Sequence, residues 1–167
     1  MKKLIMINGT MGVGKSTVCR ELIKALTPSV YLDGDWCWNM NPFMVTDENK
    51  TMVMDNITHL LKSFLNNSGY EYIIFCWVIP EESIFQDILK KLSGFEFELY
   101  KISLVCSEKA LKERLEMDIQ NGVRKADVLE RSLSYLGLFQ NMDTAKMDVS
   151  DMTVEEAVRQ ICQIVEN

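Results

Sequence analysis

The sequence has no apolar run approaching the ~20 residues of a membrane span. Its start, Met1-Lys2-Lys3, leads only into Leu4 to Ile7, too short for the ~7–15-residue apolar region of a secretory signal. A cytoplasmic protein without a membrane partner is expected. Histidine is nearly missing: the single one, His59, falls inside a helical pattern and reads as structural. The five cysteines, Cys19, Cys37, Cys76, Cys106 and Cys162, form no C-x-x-C pair. An odd number without such spacing argues against a disulfide framework or a zinc knuckle, so the thiols are expected as small buried hydrophobes. Positive charge is also scarce, with 18 Lys and Arg against 24 Asp and Glu and a net charge of −6. Nucleic-acid binders usually present a basic field, so no nucleic-acid partner is expected.

What is present is a 167-residue chain with 47% apolar residues, the size of a single domain over 1–167. Strand-like and helix-like patterns alternate along it. Leu4 to Ile7 and Val30 to Leu32 read as the first two strands, with a helix from Lys15 to Leu26 between them. A helix capped by Thr46 or Asp47 carries Val53, Ile57, Leu60, Leu61 and Phe64 on one face. Tyr72 to Val78 is a continuous apolar run, as expected of a central strand buried on both faces. A short helix through Ile84 and Ile88 and a strand from Phe97 to Val105 follow. Helices then start at Ser107 and Asp127, before a weaker strand from Ala145 to Val149. Thr153-Val-Glu-Glu156 is a capping box that opens the last helix. Repeated β-α alternation predicts an α/β fold, a parallel sheet covered by helices on both faces. Ligands in such sheets sit beyond the carboxyl ends of the strands.

At the end of the first strand, Gly9-Thr10-Met11-Gly12-Val13-Gly14-Lys15-Ser16 fits G-x-x-x-x-G-K-[ST] at every fixed position. Four such positions match by chance in roughly one window in 10⁴–10⁵, with glycine at about 7% of residues. A strand before it and a helix after it supply the required context. Its glycines let successive N–H groups turn inward, and these donors with the helix N-terminus favour phosphate. The loop, residues 9–17, is expected to bind a nucleoside triphosphate. Lys15 would reach the β- and γ-phosphates, Ser16 would bind Mg²⁺, and Thr17 would touch a further phosphate.

Asp33-Gly34-Asp35 follows the second strand. Two carboxylates so close repel unless positive charge is near; Mg²⁺ and Lys15 would provide it. Asp33 is expected to hold the metal, directly or through water. Asp35 is expected to orient an attacking hydroxyl or accept its proton. The competing reading is a plain polar turn, for which Asp and Gly are common. The third strand, by contrast, runs into Cys76-Trp77-Val78-Ile79-Pro80 without an acidic residue, and there is no Asn-Lys-x-Asp. Both absences count against an ATPase motor or a GTPase switch.

These features resemble the small P-loop kinases: shikimate kinase, gluconate kinase, chloramphenicol phosphotransferase and the nucleoside and nucleotide kinases. The resemblance covers nearly the whole chain in layout and is most specific at the phosphate loop. It implies a three-layer α/β/α fold with a five-stranded parallel sheet in the order 2-3-1-4-5. It also implies ATP with Mg²⁺, transfer to the hydroxyl of a small-molecule acceptor, and a mobile lid at about 114–131. Arg114, in Lys112-Glu113-Arg114-Leu115, is similar to a catalytic lid arginine, and Arg124 and Arg131 to further lid residues on the nucleotide. Departures narrow the acceptor. Residues 76–80 carry neither the Asp-Gly-x-Pro-Arg of adenylate-type kinases nor the glycine run of shikimate kinases.

Trp36, Trp38, Asn39 and Phe43 follow the aspartates, and Trp77 ends the third strand. With Asp35 they are expected to line an acceptor pocket, apolar walls with a few polar groups being usual for small molecules. A core role under the loop is the alternative for these aromatics. For the whole protein, the alternative to a kinase is a nucleotide-binding sensor or partner-binding module without transfer. A monomer or homodimer is expected.

Overall fold

A computed structural model describes residues 1–166 of the chain. The strands are β1 (Lys2–Asn8), β2 (Ser29–Asp33), β3 (Tyr72–Cys76), β4 (Phe97–Val105) and β5 (Ala145–Asp148). The helices are α1 (Lys15–Ala25), α2 (Asp47–Asn66), α3 (Glu82–Lys91), α4 (Glu108–Gln120), α5 (Val128–Tyr135) and α6 (Val154–Glu166). The strands form one sheet in the order β2-β3-β1-β4-β5, and every pairing is parallel. This is the predicted order.

The alternation of β1 shows why helices cover both faces. Ile5 and Ile7 join Leu22 of α1 and Ile161 of α6 in one core. Leu4 and Met6 join Ile57 of α2 and Phe85 of α3 in the other. All four β1 side chains are at most 1% exposed. Burying an aliphatic side chain of this size is worth about 1.5–3 kcal/mol, so a central strand buried on both faces drives the fold.

Register brings the functional ends together. Ile7 pairs with Cys76 and with Ile102, and Asp33 pairs with Cys76. The segments leaving β1, β2 and β3 therefore emerge side by side on one edge. Two short 3₁₀ segments were not expected: Gly34–Trp38 directly after β2, and Leu138–Asn141 after α5. The apolar run of the third strand is also shorter than expected, ending at Cys76. Beyond it, buried Asn8 holds Ile79 by both its N–H and its C=O, at 2.8 and 3.0 Å. The Trp77 N–H still donates to the Ile7 carbonyl of β1 at 3.2 Å, and the clamp holds Ile79 at the end of β1.

Candidate active site

The phosphate loop follows β1 as a turn closed by α1. At Gly9, φ is +144°, and a Cβ would lie 2.6 Å from the Leu104 carbonyl oxygen of β4. At Gly12, φ is +80° and a Cβ would run into Leu115 of α4. Both positions need glycine for conformation and for space. Lys15 is only 8% exposed and its ammonium donates to the Thr10 carbonyl at 2.9 Å. Burial lowers its pKa, against the opposing pull of Asp35 and Asp33. A buried ammonium with one neutral partner is poised to gain from a polyanion.

Asp33 closes the opposite side. Its Oδ2 accepts the Ser16 hydroxyl at 2.7 Å and the Tyr31 phenol at 3.0 Å. Its Oδ1 accepts the Asp35 backbone N–H at 3.0 Å. Burial pushes the Tyr31 pKa well up, which keeps the phenol a donor. The Ser16 hydroxyl and the Asp33 carboxylate are hard oxygen donors already in contact, a set that fits Mg²⁺. Tyr31 and Cys76, whose oxygen and sulfur are 3.1 Å apart, were not singled out by sequence. Tyr31 lies two residues before Asp33 on β2, and the pairing of β2 with β3 brings Cys76 to them.

Asp35 stands at the junction of two cavities. One, of about 540 Å³, is lined by Lys15, Ser16, Thr17, Asp33, Asp35 and Arg114 among others. The second, of about 810 Å³, is lined by Asp35, Trp36, Trp38, Asn39, Phe43 and Arg131 among others. Met11, Asp33, Asp35, Val78 and Arg124 belong to both walls. Burial away from water and then the Asp33 carboxylate raise the Asp35 pKa, while the charges of Lys15 and Arg124 hold it down.

The expectation for Trp77 is corrected. Its side chain does not line the aromatic cavity; Val78 does. The Trp77 indole lies against Gly34, where an added Cβ would be 2.5 Å from the ring. The clamp on Ile79 causes this, because it bends the chain one residue after β3. Tyr135 of α5 takes a place in the aromatic wall that sequence had not assigned.

The arginines divide. The Arg114 guanidinium donates to the carbonyl of Val13 at 3.1 Å, and to those of Val149 and Ser150. It ties the phosphate loop to the end of β5 while its side chain also borders the nucleotide cavity. Arg124 pairs with Asp118 at 3.0 Å while bordering both cavities. Arg131 borders only the aromatic cavity. Thr10 turns away from the nucleotide cavity into α5, donating to the Ser132 carbonyl at 2.8 Å. Residues 114–131 thus comprise the later part of α4, a connecting turn and the start of α5. Among the described residues no helix is long and apolar enough to cross a membrane, and no group of three or more His, Cys, Asp or Glu could hold a metal.

A family model described as an AAA domain matches residues 5–135. No curated protein matches the sequence. Solved structures match the fold over nearly all of the chain. A gluconokinase from Sinorhizobium meliloti superposes with a TM-score of 0.69 at 20% identity, covering 99% of this chain and 94% of that one. A tunicamycin resistance protein from Deinococcus radiodurans gives 0.63 at 20% identity, covering 99% and 96%. An APS kinase from Mycobacterium tuberculosis, in complex with AMPPNP and APS, gives 0.69 at 14% identity, covering 99% and 98%.

Proposed function

The chain belongs to the AAA domain family and has the fold of the small P-loop kinases, and from that premise we propose that it is an ATP-dependent phosphotransferase acting on a hydroxyl of a small molecule. The observation that carries the proposal is the position of Asp35. It borders the cavity of Lys15 and Ser16 and also the aromatic cavity. A base belongs at such a junction, within reach of both a terminal phosphate and an acceptor.

In this reading the loop N–H groups and Lys15 hold the triphosphate, and Lys15 neutralises charge at the β- and γ-phosphates. Ser16 and Asp33 would hold Mg²⁺, which supplies further charge neutralisation on the phosphates. Asp35 takes the proton of the acceptor hydroxyl as its oxygen bonds to the γ-phosphorus and the bond to the β-bridging oxygen breaks. A raised carboxyl pKa makes it a better proton acceptor once ionised. Trp36, Trp38, Phe43 and Asn39 present a wall suited to a planar or partly apolar acceptor, such as a nucleoside or a phenicol-like or aminoglycoside-like molecule.

The test is ADP release with ATP, Mg²⁺ and a panel of nucleosides, sugars and antibiotics. Turnover should depend on one acceptor class and fall at least ~10²-fold in Lys15→Ala, as expected when a principal electrostatic contact is lost. Asp35→Asn should keep ATP affinity and lose transfer. Transfer by Asp35→Asn at the wild-type rate would remove the role assigned to Asp35. Tight ATP binding with no turnover on any acceptor would instead favour the sensor reading.

A further inference from the structure

The phosphate loop meets a demand that its motif does not state. In a trans peptide the C=O and the following N–H point in opposite directions. Each N–H aimed at a phosphate therefore sends a carbonyl outward, here into protein, where it needs a donor. Three loop carbonyls find side-chain donors. Lys15 serves Thr10, Arg114 serves Val13, and the Ser132 hydroxyl serves Met11. Lys15 belongs to the motif and Arg114 was singled out by sequence, but Ser132 was not.

Ser132 is fully buried, with 0% exposure, on the face of α5 that also presents Val128 and Tyr135 to the site. Thr10, itself 1% exposed, answers it: Thr10 Oγ1 donates to the Ser132 carbonyl at 2.8 Å and lies 3.1 Å from the Ser132 hydroxyl. Neither side chain borders the nucleotide cavity. Any effect of Ser132 on the nucleotide is therefore indirect, through the loop backbone or through the seating of α5.

We propose that Ser132 is a positioning residue for the triphosphate. By fixing the Met11 carbonyl outward, it keeps the Gly12 N–H aimed into the cavity, and it docks α5 on the loop in the same step. This rests on the reading that residues 9–17 hold phosphates. Removing the hydroxyl leaves the Met11 carbonyl without its donor, so the loop loses its preset geometry.

The experiment is Ser132→Ala, with affinity for ATP and for inorganic tripolyphosphate measured by titration calorimetry without acceptor. The unfolding midpoint of the ligand-free protein is recorded alongside. Both dissociation constants should rise about tenfold, within the range for a buried acceptor losing its donor. Tripolyphosphate has no base or ribose, so a shared loss places the defect at the loop. Unchanged affinity for both ligands, whatever the midpoint does, overturns the proposal. Weaker ATP binding with unchanged tripolyphosphate binding overturns it too. Should Ser132→Ala fail to fold, Ser132→Cys, which keeps the volume and leaves only a weak donor, is read in the same way. Wild-type protein that binds neither ligand overturns the phosphate-loop reading itself, before Ser132 is in question.

Discussion

Gly34 separates the two aspartates, and it is required for space rather than for an unusual backbone angle. A Cβ there would be 2.5 to 2.9 Å from three atoms of the Trp77 ring. The Asp-Gly-Asp triplet reads in sequence as turn chemistry, yet its glycine is where an indole packs against the turn. Gly34→Ala should push Trp77 away, costing about 1–3 kcal/mol as overpacking does. Denaturant unfolding and the near-ultraviolet circular dichroism of the tryptophans check this. An unchanged spectrum with unchanged stability would mean that Trp77 is not held there. Asp33 shows the same dependence on neighbours: three donors from Ser16, Tyr31 and Asp35 converge on one carboxylate, and Tyr31 reaches it only because it lies two residues earlier on the same face of β2.

Among the elements, α6 and the turn before it combine local and distant control. The capping box is formed: Thr153 N–H donates to Glu156 at 2.8 Å, and Glu156 N–H to the Thr153 hydroxyl at 3.2 Å. Thr153→Ala should therefore lower stability by about 1 kcal/mol, read as a shifted denaturant midpoint at unchanged slope. The preceding turn is held by Asp148, which accepts the backbone N–H and the hydroxyl of Ser150 at 2.9 and 2.6 Å. Those bonds lower the Asp148 pKa. Its folded value lies below its unfolded one, so its contribution is complete above the ordinary aspartate range and is lost as pH falls through the lowered value. Asp148→Asn should thus be less stable than wild type at neutral pH, and the gap should close in acid. Thermal melts of both proteins across pH test it; a gap that persists unchanged below that range would refute the assignment. Ser150 also accepts the Ser107 N–H at the start of α4, at 2.8 Å, so this one turn joins β5, α4 and the carbonyls that hold Arg114.

For the molecule as a whole, the nucleotide site joins several elements: β1, α1, β2, α4 and α6 all border the phosphate cavity or the segments that close it. A ligand bound there should oppose unfolding of the whole chain. At a free concentration of 100 times its dissociation constant, ATP with Mg²⁺ should add about 2.7 kcal/mol, or roughly 5–10 °C in the melting midpoint at this size. Lys15→Ala should lose that increment. Differential scanning calorimetry with and without nucleotide measures both, and an equal increment in wild type and variant would show that the ligand binds elsewhere.

The order of strands and helices, and the phosphate loop, were legible in the sequence because both depend on local pattern. Apolar periodicity marks which residues must leave water, and the motif of a glycine-rich turn between strand and helix can be recognised from neighbours in the chain. The capping box at Thr153 and the caps at Thr46 and Ser107 were legible for the same reason. What lay beyond the sequence is every contact between segments far apart along it. Trp77 was expected in the acceptor wall, but the Asn8 clamp on Ile79 turned it under Gly34 and put Val78 in its place. Arg114 was expected at the transferring phosphate; it borders that cavity, and only the packing shows that three carbonyls from two segments also hold it as a strut. Ser132 carried no signal at all, since serine on a helix is ordinary until packing removes water from it. Local pattern decides where backbone groups can pair within an element; only tertiary packing decides which carbonyls are left over, and which side chain must satisfy them.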